Sequence, residues 1–301
     1  MTEDKKAQDF VLKEKYSFDE LLEIMAFLRG PEGCPWDQKQ THESIKGNMV
    51  EEAWETVDAI NSGHPERISD ELGDVLLQVV FHSQMAKEAG NFDVNDVISN
   101  ICRKLISRHT HIFGKDQVNN AEESLATWEA NKRVEKGLKS ETDVLREVPL
   151  SLPALTRAYK VQKKAANCGF DWPNVQGALD KIGEEAKELS ELIQVDAASG
   201  NVTCRDLSGT RTRDASGVGS KEALCKARLE EEGGDLLFAV VNTLRHLKID
   251  PELALTRASD KFISRFANVE AQAKAEGKEM RSMNIDELDA LWDRAKEKER
   301  E

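Results

Sequence analysis

Two acidic clusters have the residue types and the spacing for metal-dependent chemistry. On helices, Glu52 and Glu55 are i, i+3 neighbours, and so are Glu71 and Asp74. Two antiparallel helices would therefore bring four carboxylates to one point. The first cluster also contains Glu51, and the second half of the sequence repeats the arrangement with Glu184, Glu185, Glu188, Glu232 and Asp235.

A solvated acidic face is the alternative interpretation, because the acids of the first helix lie opposite its apolar stripe. The second helix of each cluster argues against it. Val75, Leu76 and Leu77 follow Asp74, and LLFAVV follows Asp235, so we expect both helices to be buried almost all round. Clustered carboxylates in such a setting raise one another's pKa unless a cation compensates them. Carboxylate ligands suit Mg²⁺, with Mn²⁺ as a substitute, better than zinc.

Apolar residues recur at i, i+3 and i+4 along most of the chain, which predicts that the acids lie on α-helices. Ser69 or Asp70 can cap the helix that contains Glu71, and Gly90 can end it. Further helical segments are expected over 92–113 and 124–137. No alternating run with a tight-turn dipeptide indicates a hairpin. The sequence therefore predicts an all-α fold.

The chain also repeats itself. EEAWETVDAI at Glu51 resembles EEAKELSELI at Glu184, KLISRHTHIF at Lys104 resembles KFISRFANVE at Lys261, and three other similarities keep the same order. We interpret this as a tandem duplication of a domain with a four-helix core. Pro149 and Pro153 suggest a boundary between domains 1–148 and 149–301. The second copy carries an insert near 197–221, rich in Gly, Ser, Thr and Arg, for which we predict a disordered loop.

Composition restricts the class of protein. The net charge of −14 argues against nucleic acid or an anionic membrane as a partner. No apolar run approaches a membrane span and the N-terminus has no export signal, so a cytoplasmic protein is expected. Five cysteines without a C-x-x-C predict neither a disulfide framework nor a zinc knuckle.

These features resemble a known family. EExxE at Glu51 to Glu55, followed by ELGD at Glu71 to Asp74, is similar to the MazG-type nucleoside triphosphate pyrophosphohydrolases of the all-α NTP pyrophosphatase superfamily. The resemblance extends over roughly Phe18 to Lys298 and includes GCPWDQKQTHESI, DELGDVLLQVVFHSQMA and SLPALTRAYKVQKKAANCGFDW. It implies Mg²⁺-dependent hydrolysis of NTPs or dNTPs to nucleoside monophosphate and pyrophosphate, and it supports a homodimer.

The resemblance also implies roles for particular residues. The Mg²⁺ ligands would be Glu52, Glu55, Glu71 and Asp74 in the first copy and Glu185, Glu188, Glu232 and Asp235 in the second. Glu55 and Glu188 would orient the attacking water as bases. Substrate contacts would come from Glu51, Lys104, Arg108 and Trp128, and from Glu184, Arg228, Glu231, Lys261, Ser264, Arg265 and Trp292. The basic residues would neutralise phosphate charge. Two alternatives stay open: the basic residues could instead cap helix ends or form surface ion pairs, and the two tryptophans could belong to the core.

Two rival functions follow from the same residues. A non-catalytic helical protein would bind nucleotide or a partner without turnover in one or both sites. A carboxylate di-iron bundle is disfavoured, because that chemistry uses Glu-x-x-His pairs and neither acidic helix pair contains one. The sequence alone does not decide which copy is active or which base and sugar are preferred.

Overall fold

The computed structural model describes residues 6–195, 202–204 and 221–299. The chain divides into two compact units, Met1–Lys136 and Gly137–Glu301. The predicted all-α architecture is confirmed for the described residues, which form thirteen α-helices and one minimal pair of strands. Much of the insert predicted near 197–221 lies outside the described residues.

Unit 1 contains seven α-helices. They are α1 (Phe18–Arg29), α2 (Pro35–Lys39), α3 (Lys46–Ser62), α4 (Pro65–Glu88), α5 (Val94–Arg108), α6 (Thr110–Phe113) and α7 (Ala121–Glu135), after a short 3-10 turn at Ala7–Asp9. Helices α3 and α4 carry the first acidic cluster and pack against each other.

Local sequence explains where these helices begin and end. Ser17 and Glu20 form a reciprocal capping box at the start of α1, and Asp93 with Asp96 forms one at α5. The predicted cap of α4 at Ser69 or Asp70 is wrong: the helix begins at Pro65, whose fixed φ suits the first turn. Gly90, with φ of 70°, follows the end of α4 as expected.

Unit 2 contains six α-helices. They are α8 (Glu141–Arg146), α9 (Ala154–Asn167), α10 (Val175–Leu192), α11 (Lys221–His246), α12 (Pro251–Ala275) and α13 (Ile285–Lys298), with a 3-10 turn at Met280–Ser282. After α10, β1 (Ile193–Val195) pairs antiparallel with β2 (Val202–Cys204). The sequence gives no signal for this pair, because strands of three residues are too short to show an alternating pattern.

The core of unit 1 lies between α1 and α4, where Met25, Ile45, Val80, Phe81 and Met85 are buried together. In unit 2, a second cluster of Val269, Ala273, Leu291 and Ala295 joins α12 to α13. The prediction that the second acidic helix is buried almost all round is wrong for the single chain. One side of α4 exposes Leu72 and Leu76, and α11 exposes Leu237 and Phe238, because neighbouring helices cover only part of each circumference.

The cysteine prediction needs one correction. Cys34, Cys102 and Cys168 are free thiols, but Cys225 is disulfide-bonded. Spacing along the chain does not reveal which cysteines a fold brings together. As for membranes, no helix in the described ranges is both long and apolar enough to cross a bilayer.

Candidate active site

The first acidic cluster assembles where α3 crosses α4. Glu52 and Glu55 lie one turn apart on α3, and Glu71 faces them from α4. One carboxylate oxygen from each of the three lies within 4.8 Å of the others. We call Glu52, Glu55 and Glu71 the unit 1 triad.

Electrostatics in the unit 1 triad favour a bound cation. Partial burial raises the pKa of Glu52, and the negative charges of Asp74 and Glu55 raise it further. Partial burial also raises the pKa of Glu71, with Glu55 and Asp70 adding to the effect. Both shifts mean that the protein's own groups around Glu52 and Glu71 do not fully compensate the charge of the carboxylates.

The second cluster repeats this geometry despite the insert between α10 and α11. Oxygens of Glu185, Glu188 and Glu232 lie within 4.8 Å of one another, and we call these residues the unit 2 triad. Glu185 is buried, and Lys181 Nζ lies 2.6 Å from its carboxylate. Partial burial raises the pKa of Glu232, followed by the charges of Glu188 and Asp235.

The fourth predicted ligand of each set stands slightly apart. Asp74 and Asp235 act electrostatically on the triads, but neither belongs to the close groups of three. The remaining predicted acidic and basic contacts flank the triads on α3, α10 and α11. Glu51 and Glu231 are exposed, Glu184 is ion-paired with Lys181 at 3.0 Å, and Arg228 is half-buried.

The donor set of each triad fits a hard divalent cation. Three carboxylates meet from two helices, and their charges repel one another when no cation is present. Mg²⁺ binds through a few carboxylates and completes its shell with water and substrate phosphate. Glu52, Glu55 and Glu71, or Glu185, Glu188 and Glu232, are therefore the residues that would hold it.

The predicted basic residues of unit 1 lie together, but on a different pair of helices. Arg108 at the end of α5 is buried, and its Nε and Nη2 donate to Glu135 of α7 at 2.9 and 3.0 Å. Its guanidinium carbon lies 5.2 Å from the ring centre of Trp128. Lys104 is exposed and helps lower the pKa of Glu135, after the larger effect of the Arg108 hydrogen bonds.

Unit 2 contains the same combination. Arg265 Nε and Nη2 donate to Glu299 at 2.9 and 2.8 Å, and the guanidinium carbon lies 5.8 Å from the ring centre of Trp292. Lys261 and Ser264 are exposed on the same helix, α12. Among the ion pairs between described residues, none links Arg108 or Arg265 to a triad.

Sequence reasoning missed three residues of this arrangement: Glu135, Glu299 and Lys181. A signal existed for the first two, because Trp128 precedes Glu135 and Trp292 precedes Glu299 by the same number of positions in the two copies. Lys181 lies one helical turn before Glu185, where an i, i+4 ion pair is expected.

Comparison with known proteins agrees with the geometry. A family model described as the MazG nucleotide pyrophosphohydrolase domain matches residues 40–113, which include the unit 1 triad. The chain is 41% identical over 279 residues to the nucleoside triphosphate pyrophosphohydrolase/pyrophosphatase MazG of Thermotoga maritima, covering 93% of this chain and 95% of that protein. It is also 41% identical over 282 residues to the nucleoside triphosphate pyrophosphohydrolase of Escherichia coli K12, covering 93% and 97%.

These similarities extend through both units, and the acidic motifs that first suggested the family form two close carboxylate triads. The chain therefore belongs to the MazG family of nucleoside triphosphate pyrophosphohydrolases.

Proposed function

We propose that this chain hydrolyses nucleoside triphosphates to nucleoside monophosphate and pyrophosphate with Mg²⁺ as cofactor and Mn²⁺ as a substitute. The observation that carries the proposal is the pair of carboxylate triads, each built from two helices. The names of the relatives from Thermotoga maritima and Escherichia coli support hydrolysis of nucleoside triphosphates.

The reaction adds water across the anhydride bond between the α- and β-phosphates. The water oxygen bonds to one phosphorus, and the bridging oxygen leaves with the other product. When bound, Mg²⁺ supplies Lewis-acid polarisation of phosphoryl oxygens and lowers the pKa of bound water. Glu55 or Glu188, the exposed member of its triad, accepts the proton of the attacking water as general base.

The basic residues complement the carboxylates. Each unit provides two cationic donors for the triphosphate, Lys104 and Arg108 in unit 1 and Lys261 and Arg265 in unit 2. Their positive charges offset the repulsion between the triphosphate and the carboxylates of the triad. Trp128 and Trp292 present partly exposed ring surface beside these arginines, which suits contact with a nucleotide. Product release as pyrophosphate depends on stabilising the charge that develops on the bridging oxygen.

The direct test is release of pyrophosphate from a panel of NTPs and dNTPs with Mg²⁺, Mn²⁺ or a chelator. Variants Glu55→Gln and Glu188→Gln, made singly and together in the full chain, assign the activity to one unit or to both. Loss in the double variant supports the proposal, and full activity in it refutes the metal and base roles. Nucleotide binding measured by calorimetry without any product would favour the non-catalytic alternative.

We also propose a homodimer. Leu72 and Leu76 on α4, and Leu237 and Phe238 on α11, are exposed apolar residues on helices that also carry triad residues, and large exposed apolar patches mark interaction surfaces. Light scattering after size exclusion should report twice the chain mass, and Leu76→Glu should shift it toward one chain if α4 contributes to the interface. A monomeric wild-type chain at micromolar concentration contradicts this proposal.

A further inference from the structure

In each unit, one arginine contacts both an aromatic ring and a carboxylate at the C-terminal end of the last helix. We call this arrangement the arginine clamp. In unit 1 it consists of Arg108, Trp128 and Glu135; in unit 2 it consists of Arg265, Trp292 and Glu299. The spacing from tryptophan to glutamate is the same in both, so one geometric solution occurs twice in the chain.

The clamp fixes both the plane and the direction of the guanidinium. The Arg108 guanidinium carbon lies over the Trp128 ring, 5.2 Å from its centre, and its Nε and Nη2 donate to two oxygens of Glu135. In unit 2, the same two nitrogens of Arg265 donate to one oxygen of Glu299. These bonds use Nε and Nη2, so Nη1 is the terminal nitrogen that the glutamate does not engage.

Stability accounts for only part of this construction. Glu135 and Glu299 lie at the surface, but their partners Arg108 and Arg265 have side chains only 10% and 21% exposed, so each pair also compensates a largely buried charge. An arginine whose torsions are already ordered by stacking and by a two-point ion pair loses less freedom when it binds phosphate. A clamp of this kind therefore benefits a binding step as well as the fold.

We propose that Glu135 and Glu299 are positioning residues, which orient Arg108 and Arg265 for the triphosphate. The inference deepens the proposed function and depends on it. Neither glutamate contacts substrate in this scheme, because each acts only through its arginine. Loss of either carboxylate should therefore weaken nucleotide binding while leaving the carboxylate triad and its base unchanged.

The test compares steady-state kinetics of Glu135→Gln and Glu299→Gln with the wild-type chain, using the unit that Glu55→Gln and Glu188→Gln identify as active. Glutamine keeps the shape but removes the charge of the ion pair. We expect KM for the NTP to rise about tenfold and kcat to stay within about twofold, as for a loss of ground-state binding. Glu297→Gln removes an exposed acid in the last turn of α13, two residues before Glu299; it is the matched control and should leave KM unchanged.

A double-variant cycle separates positioning from a structural role. If Glu299 acts through Arg265, then Glu299→Gln should add almost nothing to the KM of Arg265→Lys. Glu299→Asp, which keeps the charge but withdraws it by one methylene, should also raise KM, and it provides a second variant should the glutamine form fold poorly. A lower melting temperature with unchanged KM would show that the clamp only stabilises the helices, and would overturn the inference.

The failures of the two proposals can be distinguished. A wild-type chain that releases no pyrophosphate overturns the proposed function and this inference together. An active wild-type chain in which Arg265→Lys or Arg108→Lys raises KM, but the corresponding glutamate variants do not, overturns only the positioning role.

Discussion

Replacing Glu52 by glutamine should stabilise the metal-free protein and destabilise the Mg²⁺-bound protein. Glu52 lies within 4.8 Å of two other carboxylates, and its pKa is raised by partial burial and by neighbouring negative charges. Glutamine removes the repulsion but also removes a metal ligand. The sign of the effect must therefore reverse with Mg²⁺.

The expected magnitudes follow from the geometry. Repulsion between two unit charges about 4–5 Å apart is about 1 kcal/mol per pair in water. Screening by salt and partial exposure reduce the sum, so Glu52→Gln should stabilise the metal-free chain by about 1 kcal/mol, or about 2–4 °C in the melting temperature of unit 1. In the wild type, Mg²⁺ at about 100 times its Kd should add about 2.7 kcal/mol, most of which the variant should lose.

Differential scanning calorimetry at pH 7.5, with chelator and then with saturating Mg²⁺, measures both effects. Asp58→Asn removes an exposed acid of α3 outside the triad and should change neither stability by more than a few tenths of a kcal/mol. Glu185→Gln provides a contrast. Buried Glu185 is ion-paired with Lys181, so the Glu185→Gln variant should be less stable than the wild type in chelator. A Glu52→Gln variant less stable than wild type in chelator, or equally stabilised by Mg²⁺, would refute the reasoning.

Three further predictions follow from other parts of the structure. The pKa values of Glu52, Glu71 and Glu232 are raised, so these carboxylates take up protons at pH values just above the usual glutamate range. Because protons compete with Mg²⁺ for the carboxylates, the stabilisation by Mg²⁺ should decrease as pH falls through that range. Melting curves from pH 7.5 to pH 4, with and without Mg²⁺, measure this decrease. Asp171→Asn should cost about 1–3 kcal/mol in urea denaturation, since Asp171 pairs with the largely buried Arg245 and lies 3.1 Å from His246 Nε2; a cost near zero contradicts this. Gly177→Ala should cost about 1 kcal/mol and shift tryptophan fluorescence, because the added methyl would lie 2.8 Å from Trp172 ring carbons; an unchanged spectrum and midpoint would contradict the predicted clash.

Helical periodicity and repetition were sufficient to predict the elements that build the site. The acids of α3 and α4 have the i, i+3 spacing that puts them on one face, and the repeat places the same acids on α10 and α11. The sequence therefore predicted six carboxylates that form two close groups of three. Asp74 and Asp235, also predicted as ligands, lie outside these close groups, because spacing gives the face of a helix but not the distance across to its neighbour.

Contacts between helices distant in the chain were beyond such reasoning. Arg108 and Glu135 belong to α5 and α7, and the angle at which those helices pack decides whether their side chains meet. Helix ends were also less certain than helix faces, since Pro65 begins α4 well before the polar residues that resemble a cap.

The exposed side of α4 is a second feature that the sequence pattern alone does not predict. An apolar run predicts that a helix is covered, but it does not say by what. Leu72 and Leu76 remain exposed in the single chain, while Glu71 and Asp74 alternate with them along the helix. At about 100° per residue, Leu72 and Leu76 point about 100–160° around α4 from Glu71 and Asp74, so a surface that covers these leucines would leave the face that carries the unit 1 triad open to substrate.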